Sequence, residues 1–172
     1  MKPRRQLLSD EDLRAYSAEH LWYECWMFFE TGSTLPGGVT SPLVQFVDNA
    51  VLESFAIHLR NLLDFFYPER ILPDDVIAAD YFELAQMPAT FPVKSELLNE
   101  AEVRAHKHVS HLTAKRLPGH HADKRWHVAP LVREVANLID AFIAAASPQK
   151  LDADFVVRVK QLLQAVKEAS DS

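Results

Sequence analysis

Residues 104–127 contain most of the side chains in this chain that could act on a charged substrate. Six lysines and arginines occur there with one aspartate, a net charge of +5, while the other 148 residues carry −11. Six of the eight histidines lie in the same stretch. Arginine is a permanently charged donor that suits phosphoryl oxygens, and histidine exchanges protons near neutral pH. The stretch therefore predicts a phosphate-binding site with acid–base capacity, which the total charge of −6 conceals.

Half of this basic stretch belongs to a helix predicted from the Ser95 N-cap to about residue 116. Five residues of this helix lie on one arc of its surface, about 100° wide, next to its apolar face. They are Arg104, Lys107, His108, His111 and Lys115. Arg104 and His111 are two turns apart, so both side chains can reach one phosphate. A solvated basic flank of the helix is the alternative interpretation.

An earlier helix adds polar residues beside an apolar set. Arg60 and Asp64 lie on one line of that helix, and His58 and Asn61 lie on a neighbouring line. We predict that these four residues face the basic helix across a cleft and contribute to substrate binding. The alternative is a solvated surface with an Arg60–Asp64 ion pair.

The remaining histidines raise the possibility of a metal site, because neutral imidazole is a common ligand of transition metals. The candidates are His120, His121 and His127, with His111 or His58. No HExxH motif is present, and one cysteine, Cys25 in an apolar run, cannot form a cysteine-based zinc site. We therefore expect neither a metal nor another cofactor, and an inert, buried Cys25 thiol.

The elements that position these residues are predicted to be helices. The chain has 172 residues, of which 48% are apolar, 24% are charged and four are glycines. This composition predicts one globular domain over residues 1–172, with residues 1–8 as a flexible arm, and excludes a glycine-rich phosphate loop. No run resembles a secretory signal or a membrane span, so we expect a cytoplasmic protein.

Capping residues and prolines divide the chain into helices. The expected boundaries are Ser9 to Thr31–Gly32, Ser41–Pro42 to Tyr67, Asp74–Asp75 to Phe82, Ser95 to Arg116, His127 or Pro130 to Ala146, and Asp152 onward. The fold class is thus all-α, an up-down bundle of four to five long helices.

The first helix carries an unusual density of aromatic residues: Trp22, Tyr23, Trp26, Phe28 and Phe29. Core packing is one interpretation. A homodimer surface is the other, because five large rings within eight residues are difficult to bury against one side of a bundle.

Three segments together resemble a family of small bacterial helical proteins of unassigned function. They are HLRNLLDFFY at 58–67, DDVIAADYF at 74–82 and HKHVSHLTAKR at 106–116. The resemblance covers roughly residues 50–116 and implies a helical fold.

The segment from Arg104 to His111 also resembles the motif of HEPN domains, which is an arginine followed after four to six residues by a histidine. Six residues separate the two here, and Ala105 stands where that family usually has Asn, Asp or His. The resemblance implies an all-α bundle that dimerises through its motif and cleaves RNA without a metal, as toxin or phage-defence proteins do. Arg104 would then stabilise charge on the phosphate and His111 would take part in proton transfer. From their positions on the two helices, we expect seven further residues to bind substrate: Lys107, His108, Lys115, His58, Arg60, Asn61 and Asp64. A non-catalytic helical module that binds a protein partner is the alternative function.

Overall fold

The structure is a computed structural model that describes residues 5, 7–35, 42–106 and 126–170. Within these ranges the chain is all-α and contains no β-strand. The helices are α1 (Asp10–Tyr16), α2 (Trp22–Thr34), α3 (Pro42–Phe66), α4 (Glu96–Arg104), α5 (Val128–Ala145) and α6 (Ala153–Ser170). A π-helical segment, Ser17–Leu21, joins α1 to α2, and a short 3₁₀ helix spans Ala78–Tyr81. No helix in the described ranges is long and apolar enough to cross a membrane.

Three helices begin where a polar side chain caps them, as the sequence predicted. The Ser9 hydroxyl accepts a hydrogen bond from the Asp12 N–H at 3.1 Å. The Ser95 hydroxyl accepts one from the Leu98 N–H at 3.1 Å, at the start of α4. The Asp152 carboxylate accepts one from the third residue of α6 at 2.8 Å. Each cap satisfies a backbone donor that has no partner within the helix.

The π-helical segment between α1 and α2 keeps one line of side chains directed into the core. Leu13, Ser17, Leu21 and Cys25 are all buried although they follow one another at intervals of four. In a regular α-helix three such steps would rotate the side chains by about 120°, so the wider turn is needed to keep all four inside. The Ser17 hydroxyl fixes the segment, because it donates to the Arg14 carbonyl at 2.8 Å and accepts from the Asp152 N–H at 3.0 Å.

The first helix continues past its predicted end at Thr31–Gly32 as far as Thr34. Gly32 lies inside the helix because two neighbours approach it closely. A Cβ atom at this position would lie 2.7 Å from Val132 Cγ2 and 3.3 Å from Phe55 Cε2. The glycine therefore serves close helix packing and does not end the helix.

The helix predicted over residues 74–82 is wrong, because only a 3₁₀ turn forms there. The Asp75 carboxylate accepts from the Leu72 N–H at 2.6 Å and the Asp80 carboxylate from the Ile77 N–H at 3.0 Å, which stabilises turns. Arg5 also binds the buried Asp80 carboxylate, at 2.9 Å from one oxygen, and the Asp75 carbonyl at 2.7 Å. Arg5 thus contacts the turn at Asp75 and Asp80.

The core lies where the predicted apolar faces meet. On α3 the buried set includes Phe55, Leu59, Leu62 and Phe66, and on α5 it includes Phe142, all as predicted. Aromatic rings dominate the centre, where Phe142 contacts four other rings at centroid distances of 5.4–6.0 Å. On the final helix Phe155, Val159 and Leu163 are buried, and Leu162 and Val166 pack partly buried against the core.

Candidate functional site

The predicted phosphate site begins at the C-terminal end of α4. Arg104 is the last residue of α4 and is half-buried. Its Cζ lies 5.4 Å from the centre of the Trp126 ring, a cation–π contact. Trp126 stands two residues before α5. Its contact with Arg104 therefore brings the end of α4 close to the start of α5. Lys107, His108, His111 and Lys115 lie outside the described residues, as do His120 and His121.

Two of the predicted substrate-binding residues of α3 contact a carboxylate of α2. His58 Nδ1 lies 2.7 Å from Glu24 Oε2, and Asn61 Nδ2 donates to the same oxygen at 3.1 Å. His58 is buried, and the Tyr23 ring packs against it edge-on at 5.5 Å. A carboxylate on a ring nitrogen fixes the orientation and tautomer of a histidine.

Sequence reasoning missed Glu24, although a signal was present. It is an acidic residue inside the apolar run LWYECWMFF, where a solvated carboxylate is not expected. Its partners lie 34 and 37 residues away on α3, so spacing within one helix could not reveal the pairing.

A buried ion pair joins the segment that precedes α4 to α4 itself. Lys94 Nζ lies 2.6 Å from Glu102 Oε2, and both side chains are largely buried. Asp64 is exposed, yet partial desolvation within the cleft raises the pKa of its carboxyl, and the negative charge of Glu102 raises it further. Electrostatic interactions with His106, Arg60 and Lys94 lower the pKa of Asp64 without cancelling that rise. Arg60 itself is half-buried on α3, one turn before Asp64.

Between these groups lies a cleft of about 680 Å³. Its walls come from the first helix, α3, the loop after α3 and the end of α4, and carboxylates outnumber cations on them. The charged lining residues are Glu24, Asp64, Glu69, Arg70, Asp74, Asp75, Glu102 and His106. Burial, together with Glu24 and Asp75, raises the pKa of Tyr16 on one wall. The cleft therefore has a negative potential that attracts cations and repels phosphates.

The structure thus divides the predicted site residues into two groups. Asn61 and Asp64 line the acidic cleft, and His58 lies against Glu24 at its edge. Arg104 lies instead against Trp126 and is absent from the residues that line the cleft. His106, two residues after the end of α4, lines the cleft.

Of the histidines considered for a metal, His58 and His127 lie in the described part of the chain, and His111, His120 and His121 lie outside it. Among residues 5, 7–35, 42–106 and 126–170, no three His, Cys, Asp or Glu side chains are grouped closely enough to hold an ion. Cys25 is buried as predicted, and burial raises the pKa of its thiol. A neutral buried thiol is a poor nucleophile and a poor ligand.

The aromatic run of the first helix divides between the core and the surface. Phe28 and Phe29 are buried, whereas Tyr23 is 48% and Trp26 is 40% exposed. Trp22 is half-buried beneath Arg158, whose Cζ lies 4.5 Å from its ring centre. Core packing therefore explains part of the run and leaves two large rings on the surface.

Comparison with protein-family models, curated proteins and solved structures gives no match to this chain.

Proposed function

We propose that this chain is a HEPN-like helical protein that binds RNA phosphates at the C-terminal end of α4. In this proposal it is a metal-independent ribonuclease of a toxin or phage-defence type, with an up-down bundle topology and a cytoplasmic location. The observation that supports it best is the position of Arg104, half-buried against Trp126 where the +5 stretch begins. Arginine is the side chain whose planar donor geometry suits a phosphoryl oxygen.

The proposed roles follow the types of the side chains. Arg104 stabilises the charge that develops on the phosphate, and His111 transfers a proton. Lys107, His108 and Lys115 neutralise neighbouring phosphates. Two copies of the chain meet at their motifs, so we expect a homodimer in sedimentation experiments.

The acidic cleft limits where RNA would bind. Glu24, Asp64 and Glu102 repel phosphate, so phosphate contacts are confined to the basic residues at and after Arg104. His58 and Asn61 then contribute to the substrate site indirectly, because their contacts with Glu24 hold α3 against α2.

The direct test is cleavage of a single-stranded RNA oligonucleotide by purified protein in the presence of EDTA. We expect cleavage by the wild type, and its loss in His111→Ala and Arg104→Ala with unchanged helical circular dichroism. His20→Ala on the π-helical segment is the matched control, because His20 is an exposed histidine outside the basic stretch. Unchanged cleavage by His111→Ala would contradict the role of that residue.

The exposed rings of Tyr23 and Trp26 favour a second candidate function, a non-catalytic module that binds a protein partner. That function predicts no nuclease activity and partner binding that is insensitive to salt. RNA affinity that falls steeply with added salt would argue against it, because phosphate contacts release counterions.

A further inference from the structure

Two exposed aromatic rings of α2, those of Tyr23 and Trp26, lie side by side on the surface. Their centroids are 6.3 Å apart and their planes are inclined by 59°. The two rings line an open pocket of about 430 Å³ together with neighbours from α2 and the π-helical segment. These neighbours are Ala18, Glu19, His20, Trp22 and Glu24.

The Tyr23 ring is held in place by a buried residue of α3. It lies edge-on to the His58 ring at a centroid distance of 5.5 Å, and the Glu24 carboxylate orients His58 through its Nδ1 atom. A ring that is ordered in this way loses little rotamer freedom when a ligand binds to it. Its contact with Trp26 orders the second ring as well.

The charges of the pocket favour a positively charged ligand. The face of an aromatic ring attracts cations, and those of Trp and Tyr do so strongly. Among the lining residues Glu19 and Glu24 carry negative charge, and His20 is the one basic residue. An anion would be repelled both by the carboxylates and by the ring faces.

The same surface already holds one cation of the chain itself. Arg158 Cζ lies 4.5 Å from the centre of the Trp22 ring, and Arg158 Nη2 donates to the Ala18 carbonyl at 3.2 Å. Trp22 and Ala18 both line the pocket, so this guanidinium shows one way in which a cation binds there. Within the described ranges, no arginine or lysine lies over the rings of Tyr23 and Trp26.

We propose that Tyr23 and Trp26 bind an organic cation, an alkylammonium or guanidinium group, with Glu19 supplying the opposite charge. This group belongs either to a free small molecule or to a basic side chain of a peptide, since both sources share the same chemistry. The inference is independent of the RNA-phosphate site proposed above.

An NMR titration of the isotope-labelled full chain tests the proposal through the indole N–H signal of Trp26. The signal is identified by its absence from the spectrum of Trp26→Leu. The probes are choline and N-acetyl-arginine amide, one for each source. Each has an uncharged counterpart of nearly the same shape: the alcohol in which carbon replaces the choline nitrogen, and N-acetyl-citrulline amide. Sodium chloride keeps the ionic strength constant.

Three variants divide the contributions of the site. Tyr23→Leu removes one ring, Tyr23→Phe keeps it, and Glu19→Gln removes the carboxylate charge. Phe46→Leu is the matched control, because Phe46 is an exposed ring on α3 that does not line the pocket. Circular dichroism checks that every variant retains its helices.

We expect at least one of the two cations to shift the Trp26 signal saturably, with a dissociation constant on the order of 1–10 mM, and its neutral counterpart to have no effect. Tyr23→Leu should weaken binding about three- to tenfold, and Tyr23→Phe should bind nearly as the wild type does. Glu19→Gln should weaken binding about two- to fivefold. Phe46→Leu should leave it unchanged.

Failure of both cations to shift the signal overturns the inference. An equal shift by the neutral counterparts also overturns it, because the rings would then bind apolar groups regardless of charge. Binding that Tyr23→Leu leaves unchanged, or that Phe46→Leu weakens equally, overturns the assignment to this pocket. Saturation by choline alone supports a free ammonium ligand, and saturation by the arginine derivative alone supports a peptide side chain.

Discussion

Removal of Lys94 should destabilise this protein far more than removal of a surface lysine. The Lys94 and Glu102 side chains are 13% and 8% exposed, and the two charges are 2.6 Å apart. Lys94→Met leaves the Glu102 carboxylate buried without its cation, and breaking a buried pair in this way costs about 3–5 kcal/mol. Lys94 also lies 5.8 Å from the centre of the Tyr67 ring, a further contact worth about 0.5 kcal/mol.

The chain offers a matched control in Lys167→Met. Lys167 pairs with Asp140 at 3.8 Å, and both side chains are more than half exposed, so its loss should cost less than about 1 kcal/mol. In urea unfolding we expect Lys94→Met to lose about 3 kcal/mol, which corresponds to a melting temperature lower by about 6–12 °C. Adding Glu102→Gln to Lys94→Met should recover at least about 1 kcal/mol, because the uncompensated charge is gone.

The reasoning would be refuted if Lys94→Met and Lys167→Met had equal effects. Water would then reach Glu102 in the variant and solvate it. A loss that Glu102→Gln does not reduce would instead assign the effect to the packing of the Lys94 chain against Tyr67.

Three other predictions concern positions with defined surroundings. Gly32→Ala should lower the free energy of unfolding in urea by about 1 kcal/mol, because overpacking against Val132 exceeds the gain in helix propensity. In a Val132→Ala background the same substitution should be stabilising. A stabilising effect in the wild-type background would show that Val132 moves aside. Because the pKa of Asp64 is raised above its ordinary 3.8, the folded state holds that proton more tightly and ionisation lowers stability as pH rises. Asp64→Asn should therefore be more stable than the wild type at pH 7, with an advantage that disappears towards pH 3; an advantage that grew on acidification would have the wrong sign. Cys25 should react with Ellman's reagent only after unfolding in urea, since its thiol is buried and its pKa is raised; rapid reaction of the native protein would contradict its burial.

The helix starts could be predicted because each depends on a few neighbouring residues. Ser9, Ser95 and Asp152 cap backbone donors within three residues of themselves, and that interval is visible in the sequence. The buried faces of α3 and α5 were predictable for the same reason, since helical periodicity is a local property.

The errors arose where distant residues determine the backbone. Arg5 binds Asp80, 75 residues further along the chain, and helps to keep residues 74–82 from forming the helix that their acidic start suggested. The pairing of Glu24 with α3 likewise depends on how two helices pack. Arg104 lies in the helix where the sequence predicted it, yet the acidic cleft near the end of that helix could not be foreseen from a charge count over one segment.

The π-helical segment has a consequence for the length of the chain. Deletion of Glu19 would leave Leu13, Ser17, Leu21 and Cys25 at intervals of four, three and four, the spacing of a regular α-helix. Tyr16 and Glu24 would then be seven residues apart, so both would still point towards the cleft. The first helix therefore carries one residue more than its packing requires. A one-residue deletion, which ordinarily disrupts a buried helix, should be tolerated here, and related chains of either length could share the same core.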